Sequence, residues 1–154
     1  MLQLAILGRI QIQNGNLDVL LITVIAWAVQ KNIHLQDVIW ISLFCGVMIG
    51  FISAENFWIV VVVYLLASLT AYWINNRLWQ LPLLSLFVCI ALFTLIHLTA
   101  FSIWLQISGA AITLSQSFER IIIPSTLLNL FVGFPVFLIV REIYIWIFPS
   151  EEEI

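Results

Sequence analysis

The chain has 154 residues, of which 64% are hydrophobic and 8% charged, with a formal net charge of −3. A water-soluble domain carries about 25% charged residues, so this composition excludes a soluble globular protein and points to an integral membrane protein. The negative balance comes largely from Glu151, Glu152 and Glu153, a solvated tail that argues against a nucleic-acid partner.

Met1 to Gly8 is apolar but too short to span, since about 8 residues rise only about 12 Å against a core of about 30 Å. It reads as the end of a shortened first helix, closed by Arg9. It lacks the basic start and small-residue cleavage site of a signal peptide. Ile10 to Asn16 alternates apolar and polar residues and reaches Asn-Gly, which predicts an extended piece and a turn at a membrane boundary.

Leu17 to Val29 predicts a second helix, short for a span, which thins the bilayer locally, lies partly within the protein, or takes Asp18 and Gln30 as interfacial ends. Ile33 to Ser53 predicts a third, on which Ser42, Gly46, Gly50 and Ser53 share a face. Gly46 and Gly50 form a GxxxG pair, which lets two backbones approach closely. After a polar turn at Ala54, Glu55 and Asn56, the fourth helix runs from Phe57 to Ile74, with Tyr64, Ala67, Ser68, Ala71 and Asn75 on one side. Phe57 and Trp58 at one end, and Tyr72, Trp73 and Trp79 at the other, suit aromatic belts. Pro82 opens a fifth, Leu83 to Leu105, with His97 in midspan and Thr99, Ser102 and Gln106 toward its far end. Ile107 to Ser117 reads as a polar loop.

Arg120 to Arg141 is the last span. Pro124 stands one turn in, where its missing amide N–H costs least. Ser125, Asn129 and Gly133 follow at steps of four, with Thr126 beside them, and so form one small, polar stripe on a helix. Such a stripe is suited to face other helices rather than lipid. Ile143 to Phe148 follows as an interfacial anchor bearing Tyr144 and Trp146. The fold class is therefore all-α, a polytopic membrane helix bundle with five full spans and a shortened first helix. It forms one domain over residues 1–148, with an acidic tail at 149–154. Alternating sides puts Lys31, Arg77 and Arg141 opposite Arg9 and Arg120, and that count makes the C-terminus cytoplasmic.

No metalloprotease, serine-hydrolase, dithiol or phosphate-loop pattern occurs, and no carboxylate pair lies within a span. The sequence offers no catalytic set, cofactor site or metal site. Cys45 and Cys89 read as small apolar helix residues. Asp18, Asp37 and Glu55 sit near predicted helix ends, where they remain hydrated. His97, an ionisable group in midspan, is a functional candidate by position. With no charged partner evident along the chain, the preferred reading is a neutral imidazole bonded across to a hydroxyl or carbonyl. Asn129 is read as interhelical glue before a ligand contact. The packing or partner-interface candidates are thus Ser125, Thr126, Asn129, Gly133, Gly46, Gly50, Ala67 and Ala71.

Pro124 to Asn129, PSTLLN, followed by Gly133, Pro135 and Arg141, resembles the last helix of the MreD family of bacterial rod shape-determining membrane proteins. Asn16 to Leu21 is similar to that family's Pro-Asp-Leu-Leu-Leu start of its second helix. Phe44 to Phe51 is similar to its glycine-spaced third helix, and Tyr64 to Arg77 to its fourth helix with a basic exit. The chain departs from the pattern in having Ala54 where the family commonly has an acidic residue, with Glu55 one step away.

The resemblance implies a non-enzymatic scaffold of the cell-elongation machinery in the bacterial inner membrane, supporting peptidoglycan synthesis and rod shape. MreC would be its main partner. A RodA-type glycosyltransferase and a class B penicillin-binding protein would share the assembly, with the MreB filament as an indirect neighbour. The implied fold is similar to the six-helix substrate-binding subunits of energy-coupling-factor transporters. That similarity supplies the alternative function, a small-solute binding subunit with His97, Gln106 and Asn129 in its cavity.

Overall fold

A computed structural model describes residues 16–31, 33–53, 56–77, 81–108 and 117–148. All regular structure among them is helical: α1 (Val19–Ala28), α2 (Leu35–Ile52), α3 (Phe57–Arg77), α4 (Pro82–Ile107) and α5 (Ile123–Ile147), the last entered through a π-helical turn, Phe118–Ile122. Four helices, α2 to α5, are long and apolar enough to cross a membrane. The chain is thus a helix bundle of the multi-pass membrane type. The expected shortened first helix, the turn at Asn14-Gly15, most of the 107–117 loop and the acidic tail lie outside the described residues.

The expectation of five full spans is corrected by α1. It has 10 residues, which rise about 15 Å, half of a hydrocarbon core of about 30 Å. Its N-terminus therefore lies inside the bundle rather than at a surface. Among its ten residues Leu21, Ile22, Val24, Ile25, Ala26 and Ala28 are buried, so protein rather than lipid surrounds it. That burial is what permits a helix to begin at this depth, because backbone away from water must find its hydrogen bonds within the protein.

α3 holds α1 along its length. Tyr64 Oη donates to Asp18 Oδ1 at 2.6 Å, and Asn75 Nδ2 donates to the Val29 carbonyl at 3.0 Å. Both pairs have a sequence separation of 46, so the two segments run parallel and in register from Asp18 to Val29. Ala67 and Ala71 lie between these contacts on the same face of α3, fully buried. Their methyl groups leave room for the α1 backbone, as small residues do at close helix crossings.

α2 and α3 form an antiparallel hairpin. A Cβ placed on Gly46 would stand 3.2 Å from Val61 Cα and 3.3 Å from Tyr64 Cβ, and one on Gly50 would stand 2.7 Å from Phe57 Cδ2. At Gly46 the obstacle includes the α3 backbone, which would have to give by a few tenths of an ångström to admit a methyl group. The opposite face of α2 carries Trp40, Phe44, Met48 and Phe51, all exposed, as a lipid-facing surface would.

α5 is one continuous helix past Arg141, where the sequence suggested a separate terminal anchor. Pro124 is in its first turn and Pro135 lies inside it. Arg120 falls in the preceding π-helical turn and is exposed.

Candidate functional site at a helix break inside the bundle

The site begins with a geometric problem. Residues 16 to 18 are not helical, yet they lead into a helix that starts deep in the bundle. Their backbone amides need acceptors. The stripe on α5 supplies them: Asn16 N donates to Ser125 Oγ at 2.7 Å, and Asp18 N donates to Asn129 Oδ1 at 3.1 Å. The spacing follows from elementary dimensions. Two residues of extended chain cover about 6.6 Å, and four residues of helix rise about 6.0 Å. Ser125 and Asn129, a step of four apart on α5, thus take the amides of Asn16 and Asp18, two residues apart in the non-helical segment beside it.

Asp18 then caps α1. Its Oδ1 accepts from Leu21 N at 3.0 Å as well as from Tyr64 Oη, an N-cap arrangement that satisfies one of the orphan amides of the first turn. Its other oxygen, Oδ2, lies 3.5 Å from His97 Nδ1. The His97 ring meets Tyr64 edge to face, with centroids 6.3 Å apart and planes at 88°. Asn129 completes the set by donating from Nδ2 to Thr94 Oγ1 at 3.1 Å. Thr94 and His97, one turn apart on α4, are therefore joined through Asn129 and Asp18 to α5, α1 and α3.

This corrects two readings of the sequence. Asp18 is not a hydrated helix end, and His97 does have a charged partner. The signal that could have found the pair was arithmetic. A thirteen-residue apolar run is too short to reach from face to face, so an acidic residue at its start must lie near mid-depth. Tyr64 was noted for its place in a stripe; its hydroxyl as a ligand to the carboxylate had no sequence signature.

The other candidates divide by what they touch. A Cβ on Gly133 would stand 2.6 Å from Ile90 Cδ1, so the stripe ends in a close approach of α5 to α4. Thr126 is half-buried, and its hydroxyl donates to the Ile122 carbonyl of its own helical turn at 2.8 Å. Ser42, Ser68 and Ser102 likewise return their hydroxyls to carbonyls of their own helices, an economical way to carry a hydroxyl in an apolar setting. Contacts that cross between segments include those of Ser125, Asn129, Thr94, Tyr64, Asn75, Asp18, His97 and Tyr144. Gln106 lies nine residues beyond His97 on α4, roughly 13 Å along the axis, and so falls outside this cluster.

Chemically, the cluster is a carboxylate held by a phenol, an amide N–H and an imidazole. These contacts converge at the start of α1. Among the described residues no group of three or more His, Cys, Asp or Glu could hold a metal ion. Compared with known proteins, the chain matches no family model, no curated protein and no solved structure.

Proposed function

We propose that the chain is a non-catalytic membrane scaffold of the MreD type, acting in the bacterial inner membrane with its C-terminus in the cytoplasm. In this reading it binds MreC and supports peptidoglycan synthesis alongside a RodA-type glycosyltransferase and a class B penicillin-binding protein. One observation carries the reading. The most specific run of the resemblance, Pro124 to Asn129, contributes the Ser125 and Asn129 side chains that hold the helix break. The residues that suggest the family thus have an architectural task, as expected of a scaffold.

Co-purification with MreC in mild detergent tests this. The wild-type chain is expected to retain MreC. Asn129→Leu is expected to lose it, with a less stable but still monodisperse chain. Retention of MreC by the variant at wild-type level would remove the stripe from the account, and absence of MreC from the wild-type preparation would remove the function.

One feature favours a second reading. Helices broken near mid-membrane, with polar groups gathered at the break, are a means by which transporters build substrate sites. In the alternative, the chain is the solute-binding subunit of an energy-coupling-factor type transporter. Recovery of ATPase subunits in place of MreC from the same preparation would select it.

A further inference from the structure

A cavity of about 390 Å³ opens at the end of the bundle where α1 finishes and α4 begins, lined among others by Lys31, Arg141, Tyr144, Pro82, Leu83 and Phe137. It lies outside the polar cluster described above. Its volume is that of a small-ligand site, and its walls divide by chemistry. Lys31 and Arg141 supply two cations from different segments, while Phe137 and Leu83 supply apolar surface.

The two cations are fixed on one cleft by the fold. Tyr144 Oη donates to the Lys31 carbonyl, which ties the last turns of α5 to the end of α1. Arg141 is three residues before Tyr144 and so shares its face of α5. Among the described residues neither Lys31 nor Arg141 forms an ion pair with a carboxylate.

Two features of the backbone add to the positive potential. α4 starts at this cleft, with Pro82 in its first turn and no side-chain cap from Leu81. Its first intrahelical acceptor, the Leu81 carbonyl, takes Ser85 N, leaving the amides of Leu83 and Leu84 without an intrahelical acceptor at the positive end of the helix dipole. At the end of α1, by contrast, the Val29 and Lys31 carbonyls already accept from Asn75 and Tyr144. The negative end of α1 is thereby covered.

We propose that this cleft binds the phosphate headgroup of an anionic membrane phospholipid, with the phosphate between Lys31 and Arg141 at the start of α4 and the acyl chains leaving along the apolar wall. A lipid rather than free phosphate is favoured because the cleft sits at the end of membrane-spanning helices and most of its wall is apolar. The proposal is independent of the scaffold reading.

Native mass spectrometry of the full chain in non-ionic detergent tests it, with phosphatidylglycerol, phosphatidylcholine and inorganic phosphate as separate probes. Two juxtamembrane cations predict a preference for phosphatidylglycerol over phosphatidylcholine of roughly thirtyfold. The double variant Lys31→Gln with Arg141→Gln is expected to lose that preference. The charge-preserving pair Lys31→Arg with Arg141→Lys is expected to keep most of it, and Arg120→Gln, on the opposite side of the bundle, all of it. Equal retention of the two lipids, or an unchanged preference in the neutralised double variant, would overturn the proposal. Binding of inorganic phosphate as tight as that of phosphatidylglycerol would assign the site to a free anion and overturn the lipid. A neutralised variant that no longer unfolds cooperatively would leave the charge-preserving pair to decide: loss of preference there, in a folded chain, also overturns it.

Discussion

At the scale of single residues, the account turns on Asn129. Its amide accepts from Asp18 N and donates to Thr94. Leucine at this position would strand a buried backbone amide, at a cost of about 1–3 kcal/mol. Asn129→Leu should lower the unfolding free energy in micelles by that amount; a variant as stable as wild type would contradict the assignment. The glycines give a second expectation, because what blocks a methyl group differs. At Gly46 the nearest atom is Val61 Cα, whereas at Gly133 it is the tip of the Ile90 side chain. A side-chain tip can rotate and a helix backbone cannot, so Gly46→Ala should destabilise more than Gly133→Ala. The reverse order in thermal unfolding would count against the packing described. The spacing of Ser125, Asn129 and Gly133 was legible in the sequence as a face. What that face touches was not, because a step of four on a helix suits a neighbouring helix and an extended strand alike.

At the scale of elements, α1 is the unusual one. An isolated ten-residue helix is marginal, so its order must come from its surroundings. α3 grips it at both ends through Tyr64 and Asn75, and α5 holds Asn16 and Asp18 before it. Amide hydrogen exchange should therefore be slow at Asn16 and Asp18. In Ser125→Ala with Asn129→Leu it should accelerate about tenfold or more, in keeping with the loss of about 1.4 kcal/mol or more per site. The α2–α3 hairpin, which shares no bond with those side chains, should exchange as before. Uniform acceleration through the bundle would mean that the stripe supports the whole fold rather than the break. The helices α2 to α5 were readable from the sequence because apolar length alone defines a span. The continuation of α5 through Arg141 was not, since a charged residue near a membrane boundary also fits a helix end.

At the scale of the whole molecule, an apolar bundle encloses one polar seam that joins α1, α3, α4 and α5. The hydroxyls of Ser42, Ser68, Ser102 and Thr126 fall back on their own helices, so the seam is narrower than the count of polar residues in the spans suggests. Lys31 and Arg141 share a cleft at one end and Arg120 belongs to the other side, the grouping that the positive-inside argument uses. Thiol labelling of single cysteines at exposed Lys31 and Arg120, in a background without Cys45 and Cys89, should mark opposite sides of the membrane. Labelling from one side only would contradict the topology.

The central claim is that Asp18 lies within the bundle against His97. A double-mutant cycle with Asp18→Asn and His97→Gln, followed by reversible unfolding in bicelles, tests it most directly. Contact predicts a coupling of about 0.5–3 kcal/mol, whereas a water-exposed Asp18 far from His97 would give effects additive within about 0.5 kcal/mol and would contradict the account.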